Sequence, residues 1–210
     1  MKKLTDHGLR QLEELTEKIM EDSEARGIAI GIVNEKGEIQ YEKYFGWRDA
    51  EKKLPVNRDT IFGMASVTKS ITSLAIMQMQ MEGILSVEDP VRDYIPEFSN
   101  KGQKDLVRIW HLLCHSGGFF PLPRIVVDET AREMGIEDSL DEELIYRKDF
   151  ADEGIRRVAG RLDNQTRFTG RPGQRLSYCN DGFGLLSDIV RRHSDCDSFG
   201  EYLDKHILKP

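Results

Sequence analysis

The stretch from Ser66 or Val67 to Met81 constrains this chain most. Ile71, Leu74, Ala75, Ile76 and Met79 cover much of the circumference of a helix that stops at Glu82-Gly83. A helix that is apolar nearly all round belongs in the centre of a domain, so the remaining chain has to surround it. With 210 residues it can do so as one large domain or two small ones. A hydrophobic share of 39% against 32% charged is ordinary globular composition, which excludes collagen-like, low-complexity and wholly disordered chains. No apolar run approaches the roughly 20 residues that span a bilayer. The net charge of −7, without a basic stripe, argues against nucleic acid and anionic lipid as partners.

The order of elements follows from periodicity. Leu9, Leu12, Leu15, Ile19 and Met20 form one helical stripe that ends near Arg26-Gly27. Ile28 to Val33 and Ile39 to Phe45, joined through Lys36-Gly37, read as a β-hairpin. Asp49 to Asp59 is a polar surface connection, and Ser86 to Pro96 is turn-rich. Leu106 to Cys114 is a short helical pattern stopped by Ser116-Gly117-Gly118, and Pro121 and Pro123 hold an extended segment. Residues 128 to 168 are highly charged and read as helices with loops, Glu137 to Glu143 being a solvated face. Arg171-Pro172-Gly173-Gln174 is a tight turn, followed by helical stretches from Phe183 to Arg192 and Phe199 to Ile207. There is no internal repeat and no linker long enough to separate independent domains.

Cys114, Cys179 and Cys196 are too few for a disulfide framework, and no Cys/His cluster has zinc spacing. Free thiols suit a reducing compartment. Met1-Lys2-Lys3 is followed by Leu4-Thr5-Asp6-His7-Gly8 with no apolar core of a signal peptide. The expected location is therefore cytoplasmic, unless a leader has been removed.

Ser66-Val67-Thr68-Lys69 is the best candidate for chemistry. A serine hydroxyl needs a base within hydrogen-bonding reach, and residues three apart share a helix face. Ser66 Oγ and the Lys69 amine can meet there, beside the free N–H groups of a helix start. Alone, S-x-x-K reads as a cap followed by a solvated lysine. Here the lysine opens an apolar helix, where an unpaired charge is costly. Tyr178-Cys179-Asn180 is the second candidate, with a phenol to relay a proton and an amide to donate and accept. Alone it reads as a half-buried tyrosine beside an asparagine cap. Cys179 points away from both neighbours if the segment is extended. His111, His115 and Ser116 read as turn-packing residues, and Met77, Met79 and Met81 as core.

Together the two motifs resemble the serine β-lactamase-related hydrolases, in the branch of class C β-lactamases, esterases and DD-peptidases. Asp59 through Lys69 resembles that family's nucleophile segment, and Leu85 through Val91 the stretch after the nucleophile helix. His111 through Gly118 resembles its LLxHxSG turn, and Pro172-Gly173 through Asn180 its PG…YxN segment. The resemblance implies an α/β (α+β) fold of the β-lactamase/transpeptidase-like kind, with an antiparallel sheet flanked by helices and an all-helical region. Residues 1–82 and 171–210 then form the sheet side, and 83–170 the helical region, of one incomplete domain. Ser66 is implied as the acylated nucleophile, with its N–H as half of the oxyanion hole. Lys69 and Tyr178 are implied as base and proton relay, in a division that sequence leaves open. Asn180 is implied to hold Lys69 and the substrate amide. No metal or organic cofactor is implied.

In the resembling family a third motif, K-T-G or H-x-G, follows Y-x-N on a later strand; it is absent up to Pro210. A free lysine titrates near 10.4, whereas a base for neutral pH needs roughly 7–8, a shift of about 3–5 kcal/mol that only an enclosed site supplies. A second oxyanion donor is worth about 10²–10³ in rate. The expectation is therefore that these residues alone are neither well folded nor fully active. The leading function is acyl-enzyme hydrolysis of an ester, a β-lactam or a D-amino-acid amide or short peptide. The alternatives are a non-catalytic scaffold of the same fold and a fragment completed by a second polypeptide.

Overall fold

A computed structural model describes residues 4–99, 106–122, 125–137, 144 and 146–209. Pro123 and most of the acidic run after Glu137 lie outside the described residues. The chain divides into two compact units, residues 1–63 and 64–210.

In the first unit, α1 (Asp6–Ser23) begins where the Thr5 hydroxyl accepts from the Gly8 N–H at 3.1 Å, and Asp6 faces the positive end of the helix dipole. It stops at Glu24, in the left-handed conformation, two residues before the sequence pattern suggests. Strands β1 (Gly27–Val33), β2 (Ile39–Asp49) and β3 (Leu54–Pro55) form one antiparallel sheet with β2 in the middle. The expected hairpin is present, with Ile28 opposite Phe45 and Ile30 opposite Lys43. The Asp49–Asp59 connection differs from its sequence reading because Leu54 and Pro55 turn back to pair with Asp49 and Trp47. Helix α1 is fastened to β2 by Tyr41, whose hydroxyl donates to Glu13 at 2.8 Å. Gly46 is obligatory, since at φ +69° a Cβ would lie 2.2 Å from the Arg26 carbonyl oxygen.

The second unit is helical. A single 3₁₀ turn, Ala65–Val67, leads into α2 (Thr68–Met81), which is followed by α3 (Ile109–Leu113), α4 (Ile125–Glu133), α5 (Lys148–Asp163), α6 (Asn180–Arg192) and α7 (Phe199–Leu203). A π-helical turn, Asp204–Leu208, closes the described chain. Helix α6 contacts α2, α3, α5 and α7, and its Leu185, Leu186, Ile189 and Val190 are fully buried. At about 1.5–3 kcal/mol for each such side chain, α6 supplies the largest share of this core.

Helix α2 departs from the reading of its sequence. Ala75, Ile76 and Met79 are buried in the core, but Leu74, Met77 and Met81 are exposed, Met81 at 85%. Its apolar residues form two stripes, and only one meets α6 and its neighbours. Met79 is therefore the one core methionine of the three expected. Conversely, α6 buries charge. Asp188 and Arg191 are both buried, and Arg191 Nε donates to Asp188 Oδ1 at 2.8 Å. Arg191 also reaches Asp152 of α5, and Asp188 Oδ2 faces Arg192 Nε at 2.6 Å. Removing one partner of a buried pair leaves the other uncompensated. Asp188→Ala is expected to lower stability by about 3–5 kcal/mol, read from urea midpoints; a loss below about 1 kcal/mol would show that the pair carries no such burden.

Candidate active site

Two chain segments lie side by side and carry Tyr178. The His115 carbonyl accepts from Ser177 N–H at 2.7 Å, the Ser116 carbonyl from Gly173 N–H at 2.7 Å, and the Gly118 carbonyl from Thr169 N–H at 2.9 Å. The Ser177 hydroxyl donates to the Phe119 carbonyl at 3.0 Å. The 115–119 segment thus lines up residues 169–179, so the two stretches singled out separately in the sequence are one structural unit. Gly173, at φ +81°, gives the turn its left-handed residue, and a Cβ there would stand 3.1 Å from both His111 Nε2 and the Trp110 ring. His111 accepts from the Arg108 N–H through Nδ1 at 2.8 Å and closes the start of α3.

His115 fixes the tyrosine more closely. Its Nδ1 accepts from the Cys179 N–H at 3.2 Å while its carbonyl holds Ser177, so the backbone is anchored on both sides of residue 178. Its ring lies 4.2 Å from the Tyr178 ring and 5.0 Å from that of Phe183. Burial holds the His115 imidazole below its usual range, which keeps Nδ1 an acceptor. Cys179 turns the other way into the interior, and burial pushes its thiol up to about 11, an unreactive state.

Tyr178 reaches the start of α2. Its hydroxyl donates to Ser66 Oγ at 2.6 Å, and Lys69 Nζ donates to the same oxygen at 3.3 Å. The ammonium also lies 5.0 Å from the centre of the Tyr178 ring and 5.5 Å from that of Phe183. Ser66 sits in the 3₁₀ turn and not in the α-helix proper, directly after Ala65, whose φ of +44° is left-handed. A non-glycine residue there stores strain, and His115 at φ +52° does the same on the opposite wall. The structure therefore brings together Ser66, Lys69 and Tyr178. Asn180 stands exposed as the first residue of α6, and among the described residues no hydrogen bond joins its side chain to Lys69. Sequence reasoning missed Ala65, Phe183 and the anchoring by His115; a histidine inside a Ser-Gly-Gly turn signals only packing.

The sequence profile of the Beta-lactamase family matches residues 12–210. This chain belongs to the β-lactamase family. Esterase EstB of Burkholderia gladioli is 36% identical over 135 residues, 62% of this chain and 33% of that protein. Protein flp of Staphylococcus aureus strain MW2 is 26% identical over 99% of this chain and 38% of its own length. The octameric penicillin-binding protein homologue from Pyrococcus abyssi superposes with a TM-score of 0.76 at 32% identity, covering 98% of this chain and 43% of that one. A class C β-lactamase solved with cefoxitin, at 21% identity and TM-score 0.69, shares the fold. The chain thus has the β-lactamase/transpeptidase-like fold and spans less than half the length of each of these proteins. No described helix is long and apolar enough to cross a membrane.

The Lys69 ammonium, and then the Ser66 hydroxyl, hold the Tyr178 phenol below its ordinary range of about 10, because both stabilise the phenolate. Lys69→Met should move the phenol back up. The difference in phenolate absorbance between the protein and Tyr178→Phe, followed through alkaline pH, measures this; an unchanged midpoint would show that Lys69 does not act on Tyr178.

Proposed function

We propose that this chain carries the nucleophile half of a serine hydrolase that works through an acyl-enzyme on Ser66. The observation that carries the reading is the convergence of Tyr178 and Lys69 on Ser66 Oγ. A phenol of lowered pKa, 2.6 Å from the serine oxygen, is placed to take its proton once ionised. The serine oxygen then attacks the substrate carbonyl. As the tetrahedral adduct collapses, the proton passes to the leaving oxygen or nitrogen, and water later releases the acid and restores Ser66. Lys69 acts on the same oxygen and keeps the phenolate favourable. The Ser66 N–H provides one oxyanion donor.

The substrate classes that fit are esters, β-lactams and D-amino-acid amides or short peptides. EstB, an esterase, favours the first of these by its name. A cytoplasmic setting favours an esterase or peptidase over enzymes that act outside the membrane. A further segment, on the same or a second polypeptide, supplies the second oxyanion donor and covers the apolar stripe of Leu74, Met77 and Met81. The relatives' greater length supports this.

Rates on p-nitrophenyl butyrate, nitrocefin and a D-alanyl amide rank the classes. Ser66→Ala should lower kcat by about 10³-fold or more on whichever is turned over. For the wild type, kcat/KM should rise with pH through an apparent pKa below about 10, and Tyr178→Phe should remove that limb. Turnover that survives Ser66→Ala contradicts the reading, as does equal inactivity on all three substrates when the completing segment is present.

A further inference from the structure

Well separated in sequence from the Ser66 motif, three different donor groups converge where the link between α6 and α7 meets the closing π-helical turn. Asp195 and Cys196 come from the link, and His206 from the turn. One donor atom from each lies within 4.8 Å of the other two. Cys196 Sγ is 3.6 Å from Asp195 Oδ1, and His206 Nε2 is 3.5 Å from the same oxygen. Around a tetrahedral zinc, with bonds of about 2.0–2.3 Å, neighbouring ligand atoms stand roughly 3.3–3.6 Å apart. Both measured edges match that spacing.

An independent observation points the same way. His206 Nε2 is buried, and among the described residues its polar neighbour is Asp195 Oδ1 at 3.5 Å, too long and poorly aligned to satisfy it fully. A buried polar nitrogen left unsatisfied is costly, and a metal ion is one group that satisfies a neutral imidazole nitrogen. The groups around it are already oriented. Lys205 pairs with Asp195 Oδ2, which leaves Oδ1 facing the thiol and the imidazole. The Tyr202 ring stacks on the imidazole at 4.4 Å and 21°, and so fixes its plane. Such outer contacts are what make three loose donors into a site.

We propose that Asp195, Cys196 and His206 bind a divalent ion of the zinc class. One thiolate, one imidazole and one carboxylate suit zinc in tetrahedral coordination, with water as the fourth ligand. Binding forms a sulfur–metal bond at Cys196 and breaks its S–H bond, and the proton leaves to solvent. The ion staples the α6–α7 link to the closing turn, and this role is independent of the Ser66 chemistry.

The test titrates the 210-residue chain with Zn²⁺ alone and with Co²⁺ alone. The expected result is one equivalent bound, a near-ultraviolet thiolate-to-cobalt band, and a higher melting temperature with Zn²⁺. Cys196→Ser should abolish the band, and His206→Gln should weaken Zn²⁺ binding by more than the about 10–100-fold that loss of an outer contact costs. Asp195→Asn alters an exposed residue, so it keeps the test valid if the Cys196 variant does not fold; it should weaken binding by at least about 10-fold. Absence of the cobalt band in the wild type, or binding that Asp195→Asn and His206→Gln leave unchanged, as ligation at the exposed Cys114 would, overturns the proposal.

Discussion

The hydrogen bond from Tyr178 to Ser66 joins residues 112 positions apart, and much of the helical unit is arranged around it. An exposed phenol and an exposed hydroxyl gain little from meeting in water. Their meeting has to be imposed by the segments that carry them. On one side, a left-handed Ala65 turns the chain into the 3₁₀ step that presents Ser66 at the mouth of α2. On the other, residues 115–119 hold 169–179 by a run of backbone hydrogen bonds, and His115 fixes the backbone on both sides of Tyr178. Among the described residues of the helical unit, Ala65 and His115 are the non-glycine residues with left-handed backbone, and the packing behind them holds both in place.

That packing is the contact between α2 and α6. Ala75, Ile76 and Met79 meet a helix whose Leu185, Leu186, Ile189 and Val190 are wholly buried. Tyr178 lies two residues before α6, and Ser66 two residues before α2. The site is therefore the place where the starts of two packed helices come together, and a shift of either helix would separate the serine from its tyrosine. The ion cluster of Asp188, Arg191 and Asp152 ties α6 to α5 and adds direction to a contact that apolar burial alone leaves free to slide.

Much of this was legible in the sequence. Periodicity placed the first helix, the hairpin and α6 to within a few residues, because each follows a simple local pattern. Ser66, Lys69 and Tyr178 could be singled out because their chemistry is distinctive and their context matched a known family at several points. What was hidden depends on long-range geometry. The two stripes of α2 look alike in sequence, since Leu74 and Ile76 are similarly large and apolar yet one is exposed and the other buried. Asp188 and Arg191 lie in the expected Phe183–Arg192 helix, and only the fold shows that they are enclosed together. The Asp195, Cys196 and His206 group escaped notice because one donor is a carboxylate and the histidine comes from another element.

The proposed chemistry requires Ser66 to be an assembled nucleophile and not a helix cap. Intact-mass measurement of the chain before and after treatment with a fluorophosphonate probe tests that directly. The expected result is a single adduct that maps to Ser66 and fails to form in Ser66→Ala. An unmodified chain, or an adduct on any other residue, would contradict it.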